Sequence, residues 1–314
     1  MTILELLSTW KETGAIDGAQ HETISAIVRK DRFSVFFELN ALLYLGVLSL
    51  IAGAGWVIQT YAASLGDAAI ISCLTLILFG SLYYCFTRGR AYSAAQVESP
   101  TLVFDYVLYL ACLTLALEIG YVETRFHVLS GKWDNYLLVS AILFFGFAYR
   151  FDNRLVLSLA LSTLAAWFGI RTSRLSLLAG TSIRGPALIY SAVVMAAGTW
   201  FFWRNIKKHF TETYFHIGVI VLFSALISQV IGNESWFDLA AVLVFATVVI
   251  LGGIKFRRFA FVIYGIFFSY IGISSQLLRG LRMDSTAALS YFLISGSMVT
   301  ISIILLARRL GHEE

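Results

Sequence analysis

Acidic residues lie inside two of the long apolar stretches of this sequence, where ionisable side chains are unusual. Asp105 and Glu118 lie in the third such stretch, and Asp238 lies in the eighth. A charged group is costly inside a membrane, so these acids are default candidates for proton or cation coupling. Gln229 adds a polar amide in the seventh stretch. The candidate intramembrane polar or coupling residues are therefore Asp105, Glu118, Asp238 and Gln229.

A purely structural role for the same acids is an open alternative. Each acid lies near one end of its apolar stretch, where water or lipid headgroups could reach it. Asp105 and Glu118 are thirteen residues apart, which at about 100° per residue places them on roughly opposite faces of a helix. They could be interfacial or paired acids, coupling residues, or protonated hydrogen-bond donors in an apolar niche.

Motifs of catalytic, metal and nucleotide sites are absent from the sequence. The five histidines show no HExxH pattern and no pairing with cysteine. Cys73, Cys85 and Cys112 lie inside apolar stretches, which favours packing over disulfide or metal chemistry. Ser297 follows Gly296 without the context of a nucleophile elbow. The sequence therefore predicts no catalytic residue, no metal site and no cofactor, and an intramembrane enzyme is a third alternative that lacks a converging nucleophile and base.

The segments that must position these residues are predicted to be membrane-spanning helices. The chain is 59% hydrophobic and only 13% charged, whereas soluble domains are about 25% charged. Its mean hydropathy is +0.80. Crossing the hydrocarbon layer takes about 20 apolar residues. We predict an all-α, polytopic bundle of about ten spans, at 39–61, 67–87, 102–122, 135–151, 154–170, 186–203, 215–232, 236–254, 259–279 and 286–306.

The fourth and fifth spans are short, at 17 residues each. They could form a re-entrant hairpin instead of two full crossings, which would change the span count but keep both termini on one side. Between them lies the turn Tyr149–Arg154, in which Asp152 and Asn153 suit a tight turn and a helix cap. Its arginines suit lipid phosphates, and a contact with the N-terminal region is a further alternative.

Basic residues predict the orientation of the bundle. Sixteen of the 23 Lys and Arg residues fall on the side that holds both termini, and seven fall on the other. The positive-inside rule therefore places both termini in the cytosol. The start of the chain lacks the pattern of a cleavable signal peptide, so we expect the first span to direct insertion. Since the basic residues are spread over short loops, we interpret them as topology determinants and expect no nucleic-acid partner.

Residues 1–38 differ from the rest and predict a short cytosolic pair of amphipathic helices. Thr2 with Glu5, and Asp17 with Gln20, are helix-start patterns, and Gly14 is a helix stop. So small a module cannot hold a core of its own, so it must lean on the membrane, on the bundle or on a protein. Residues 39–306 would form the bundle and 307–314 a short tail. The candidate partner-docking residues are Leu7, Trp10, Ile16 and Ile24.

Glycines in the first and ninth spans predict close helix packing, with a hinge or substrate path as the alternative. They are Gly46, Gly53, Gly55, Gly265 and Gly272.

The N-terminal region resembles a known bacterial family. The run formed by Leu7, Trp10, Gly14, Ile16, Gln20 and Ile24, followed by the glycine-rich first span, is similar to the predicted membrane proteins of domain of unknown function 2157. That resemblance implies a multi-pass protein of the bacterial inner membrane. It carries over no activity and no catalytic residue.

Two functional hypotheses follow from these patterns. The first is a non-enzymatic membrane protein whose helical module, residues 1–38, docks a cytosolic protein partner or gates the bundle. The second is a secondary transporter that couples the movement of a small solute to protons or ions through its intramembrane acids. In both, the lipid bilayer is the main contact of the bundle.

Overall fold

The structure is a computed structural model and describes residues 3–18, 20–21, 24–25, 36–128, 133–179, 184–232, 236–281 and 284–311. Within these ranges the regular elements are eleven α-helices and one short 3-10 helix, Lys208–Phe210. We number the α-helices in chain order: α1 Ile3–Glu12, α2 Phe36–Leu65, α3 Asp67–Arg88, α4 Leu102–Phe126, α5 Trp133–Phe151, α6 Arg154–Ala179, α7 Arg184–Trp203, α8 Thr211–Gly232, α9 Trp236–Lys255, α10 Phe259–Gly280 and α11 Ser285–Gly311.

Each of the ten predicted spans coincides with one of the helices α2 to α11, so the prediction of an all-α polytopic bundle is confirmed. In the described part of the chain, nine helices are long and apolar enough to cross a membrane. The remaining one, α5, has 19 residues with Asp134 in its first turn and Arg150 in its last. Polar residues at both ends shorten its apolar stretch, which is why the fourth span also looked short in sequence.

Helix α6 is longer than predicted. It continues to Ala179 over 26 residues, whereas the predicted span ended at 170. Arg171 suggested a loop, but its guanidinium lies 3.0 Å from the fully buried carboxylate of Asp134. The ion pair allows the cation to remain on a helix, because its charge is compensated there.

Helix α1 and the turn after it have the local chemistry predicted for the start of the helix pair, whose second helix lies largely outside the described residues. Helix α1 ends before Gly14, whose φ of +72° is the left-handed conformation that glycine adopts easily, and the amide of Ala15 returns to the carbonyl of Trp10 at 2.9 Å. Asp17 and Gln20 form a reciprocal capping box, with bonds of 3.0 and 2.6 Å between backbone amides and side-chain oxygens. Thr2 lies outside the described residues.

The chain divides into two compact units, and unit 1 comprises residues 1–85 and 102–117. Within it, the ring of Tyr44 on α2 contacts those of Tyr106 and Tyr109 on α4, with centroids 4.8 and 5.4 Å apart. Gly55 lies close to Leu117 farther along the same two helices. The residue numbers of the contacting pairs increase together on the two helices, so α2 and α4 run parallel to each other.

Unit 2 comprises residues 86–101 and 118–314. It is built from three antiparallel hairpins, α5–α6, α7–α8 and α9–α10, which short turns close. Helix α8 also packs against α6, α9 and α10. The core of the unit therefore lies along α8, where Phe223 is fully buried and stacks on Phe268 of α10 at 4.8 Å. Helix α11 joins α10 through hydroxyl bonds of 2.9 Å, such as Tyr270 to Ser295.

Predicted glycine packing is right for the ninth span and wrong for part of the first. A Cβ on Gly265 would collide with Ile250 and lie 3.0 Å from the carbonyl oxygen of Ala246. Gly272 is similarly close to Leu239. Gly46 and Gly53, in contrast, have no neighbour within 4 Å of an added Cβ, because they lie on faces of α2 that no described residue covers.

Large apolar side chains are exposed along the helices. Leu76, Val244 and Leu293 are 74%, 62% and 65% exposed. A water-soluble protein rarely exposes such continuous apolar surface, whereas a bundle in hydrocarbon presents it to lipid. The exposed faces therefore agree with the membrane-spanning interpretation of the hydropathy.

Candidate functional site

The most elaborate polar site in unit 2 surrounds the connection between α3 and α4. This connection, residues 89–101, has no regular secondary structure, and we call it the strap. Thirteen irregular residues is long for a link within a compact domain, and such loops are usually functional or disordered. Here the backbone of the strap is held by side chains from two turns of unit 2, those at Asp152 and Lys207.

Asp152 lies in the turn between α5 and α6 with φ of +58°. This conformation is uncommon outside glycine, but Asp tolerates it better than most residues. The next residue, Asn153, caps α6 by accepting a 3.0 Å bond from the amide of Val156. The turn aims the Asp152 carboxylate inward, where Oδ2 accepts a short hydrogen bond from the amide of Val97 in the strap. The predicted turn and helix cap are thus both present.

Lys207 is the cationic partner of Asp152. It also has a left-handed backbone, with φ of +48°, in the turn between α7 and α8. Its Nζ lies 2.8 Å from Oδ2 of Asp152, and the two side chains are only 1% and 2% exposed. The same Nζ donates to the carbonyl of Ala95 at 3.3 Å. The backbone amide of Lys207 donates to the carbonyl of Ala94 at 2.8 Å. Its Nζ lies 5.3 Å from the ring centre of Tyr92.

Two further side chains complete the cluster. His209 donates from Nε2 to Oδ1 of Asp152 in a short hydrogen bond. Arg150, on the last turn of α5, donates to the carbonyl of Arg90 at 2.8 Å and lies over the ring of Phe151 at 5.1 Å. We call Arg150, Asp152, Lys207 and His209 the anchor cluster.

The anchor cluster holds the backbone of the strap. Both carboxylate oxygens of Asp152 already accept hydrogen bonds or an ion pair, so the carboxylate is not an available base. The Nζ of Lys207 is likewise already paired with Asp152 and hydrogen-bonded to the carbonyl of Ala95. The geometry provides hydrogen-bond partners for the strap backbone, at the carbonyls of Ala94 and Ala95 and at the amide of Val97.

A second polar network lies beside the cluster on a more open face. Glu212, on the first turn of α8, accepts from Arg154 at 3.3 Å and from Arg258 at 2.9 Å. His216 lies one turn along and stacks face to face on Phe261 at 4.6 Å. One carboxylate therefore joins the α5–α6 turn to the α9–α10 turn.

The four candidate coupling residues are spread over three helices. Asp105 lies in unit 1, half-buried on the first turn of α4. Glu118 is thirteen residues farther along α4 and belongs to unit 2, so about 20 Å of helix separates it from Asp105. Gln229 near the end of α8 and Asp238 at the start of α9 occupy the same end of two contacting helices. Asp238 is the most buried of the four, at 7% exposure.

The four candidate docking residues differ in exposure. Leu7 is buried at 2%, whereas Trp10, on the same helix, is 45% exposed. Ile16 and Ile24 are half-buried. Helix α1 thus has an apolar residue that is covered and a large aromatic that is not.

Sequence reasoning missed the roles of Lys207 and His209. It grouped Lys207 with the topology-determining cations and found no metal pattern for His209. No local pattern signals these roles, because Lys207 and His209 follow Asp152 by 55 and 57 residues. Within the described residues, no group of three or more His, Cys, Asp or Glu side chains could hold a metal ion.

The fold and the lipid-compatible surface define a multi-pass α-helical membrane protein. The comparisons refine this class: residues 8–157 match the family model described as "Predicted membrane protein (DUF2157)". The resemblance seen in the N-terminal sequence is therefore confirmed, and the match extends through the strap and Asp152 to the start of α6. No curated protein and no solved structure matches the chain.

Proposed function

We propose that this chain is a non-enzymatic protein of the bacterial inner membrane whose N-terminal helical module docks a cytosolic protein. The observation that carries the proposal is the contrast on α1 between Leu7 and Trp10. Leu7 is buried, whereas the exposed Trp10 offers a large apolar surface to a partner. Exposed tryptophans are over-represented among the residues that dominate protein interfaces.

The local geometry of the module supports the same proposal. The Gly14 stop and the Asp17–Gln20 capping box fix the turn after α1 at both ends. A rigid docking element loses little conformational entropy when a partner binds. The charge bias of the loops supports a cytosolic location for this module and for the C-terminus.

Site-specific photo-crosslinking in cells tests docking directly. The photoreactive residue benzoylphenylalanine replaces Trp10 in one variant and Glu12 in the other. Glu12 is exposed on the same helix but two residues on, about 200° around its axis. We expect a defined protein adduct from position 10 and none from position 12. Equal adducts from both positions, or adducts with lipid alone at position 10, would refute docking through this face.

A coupled transporter is the second candidate. It is favoured by Asp238, which is 7% exposed at the helix end that Gln229 also occupies. Asp238→Asn should abolish ion-coupled uptake into vesicles, while Asp105→Asn, in the other unit, provides a comparison at a more exposed acid. If wild-type vesicles show no coupled flux above empty vesicles over a broad solute panel, this candidate fails.

A further inference from the structure

We infer that the turn between α7 and α8 is a binding site for the headgroup of an anionic phospholipid. The turn follows an unbroken aromatic run, Trp200–Trp203, at the end of α7. Only Phe201 of this run faces the unit, where its ring contacts Tyr149. The other three rings are exposed by 50%, 48% and 75%, for Trp200, Phe202 and Trp203.

Helical geometry arranges these three rings around one outward face. Successive residues are about 100° apart, so Trp203 lies opposite Phe201, with Trp200 and Phe202 on either side of it. Aromatic rings at the end of a spanning helix lie at the level of the lipid headgroups. The run therefore forms an apolar wall against which acyl chains can pack.

Two cations flank the same face. The guanidinium of Arg204 lies 5.6 Å from the ring centre of Trp200, and Nζ of Lys208 lies 5.3 Å from that of Phe202. Contacts between a cation and an aromatic face hold the charge in place without neutralising it. Both cations thus flank the sector occupied by Trp203, where an incoming phosphate could contact them.

Within the described residues, no acid pairs with the two exposed cations of this turn, Arg204 and Lys208. Residues 198–211 contain no acid, and within the described part of the chain neither Arg204 nor Lys208 is in an ion pair. The nearest acid along the chain, Glu212, is already bound by Arg154 and Arg258. The charge of Lys207 is paired with the buried carboxylate of Asp152. The fold of the turn therefore does not depend on the two exposed cations.

A phosphate group is the ligand chemistry that fits, and the aromatic wall favours a lipid over a free anion. Arg and Lys near a membrane surface each contribute about a fivefold increase in affinity for anionic lipid. Losing both should weaken binding about thirtyfold. This inference does not depend on the docking of α1, which concerns the other unit.

The test compares two charge-matched double variants of the full-length chain, purified in neutral detergent. One is Arg204→Gln with Lys208→Gln, and the control is Lys255→Gln with Arg257→Gln, from the exposed turn after α9. Native mass spectrometry and thermal unfolding are followed while phosphatidylglycerol, phosphatidylcholine or inorganic phosphate is added. Unchanged unfolding without lipid shows that each variant is folded, and Arg204→Lys with Lys208→Arg provides a conservative replacement.

We expect phosphatidylglycerol to bind and stabilise the wild type, the control and the conservative variant. The Arg204/Lys208 double variant should bind it about thirtyfold more weakly. Equal weakening of both double variants would indicate a general basic surface and overturn the inference. Equal stabilisation by inorganic phosphate would overturn it in favour of a free-anion site, and equal binding of phosphatidylcholine would remove the requirement for an anionic lipid.

Discussion

Asp152 and Lys207 form an ion pair of 2.8 Å in which both residues have left-handed backbones and both side chains are almost fully buried. Each left-handed backbone and each desolvated charge costs free energy. This free-energy cost is offset by the hydrogen bonds that the two residues make to the strap at Ala94, Ala95 and Val97.

Neutralising one partner of this pair should strongly destabilise unit 2. Asp152→Asn keeps a residue that tolerates the turn conformation but leaves the Lys207 ammonium buried without a counter-charge. We expect a loss of about 3–5 kcal/mol in the free energy of unfolding. The measurement is denaturant unfolding of the purified chain in mixed micelles.

Arg154→Gln is the matched control for that variant. It breaks an ion pair with Glu212 in which the arginine is 49% exposed, and such pairs contribute about 0–1 kcal/mol. The double variant Asp152→Asn with Lys207→Met should recover part of the loss, since removing both charges leaves none uncompensated. A cost for Asp152→Asn no larger than that for Arg154→Gln would contradict the role of the pair.

Hydrogen exchange should show how the strap depends on Asp152. The amide of Val97 bonds to the Asp152 carboxylate, whereas that of Ala95 bonds to Ser93 within the strap at 3.1 Å. In Asp152→Ala, the exchange of Val97 should accelerate by at least about tenfold, which corresponds to one lost bond of about 1.4 kcal/mol. The exchange rate of the Ala95 amide should change less. Equal acceleration at both amides would mean that the whole strap had unfolded.

Two glycines in the α9–α10 hairpin should respond differently to the same substitution. Gly265→Ala forces a methyl group against Ile250 and the backbone of Ala246, and such overpacking costs about 1–3 kcal/mol. Gly252 has no neighbour within 4 Å of an added Cβ, so Gly252→Ala should be neutral or stabilising through helix propensity. Thermal unfolding of both variants checks this, and equal melting temperatures would show that the helix contact is looser than it appears.

The spans were predictable because hydropathy and length are properties of one segment at a time. All ten segments are helices, and Gly14 and the Asp17–Gln20 pair mark local boundaries as their types predict. Helix α6 continues beyond the predicted span end at 170 to Ala179, and the partner of Arg171 in this extension, Asp134, lies 37 residues earlier in the sequence.

The anchor cluster was not predictable because its bonds cross long sequence separations. Asp152 and Lys207 are 55 residues apart, and no local pattern joins them. The turn chemistry of Asp152 and Asn153 could be read from the sequence, but the inward direction of the carboxylate depends on the left-handed backbone. Exposed acids and buried acids also look alike in sequence, so the exposure of Asp105, Glu118 and Asp238 could not be ranked.

The most direct test asks which side of the membrane the strap faces. Docking of a cytosolic protein requires the N-terminal module to lie in the cytosol, and the strap, which follows two spans later, must then lie there too. Single cysteines replace exposed Gln96 in the strap or Val128 after α4, in a chain whose three native cysteines are changed to alanine. An impermeant maleimide is then added to intact bacterial spheroplasts. We predict labelling of Val128→Cys in intact cells and of Gln96→Cys only after lysis. Labelling of Gln96→Cys in intact spheroplasts would contradict the proposed orientation.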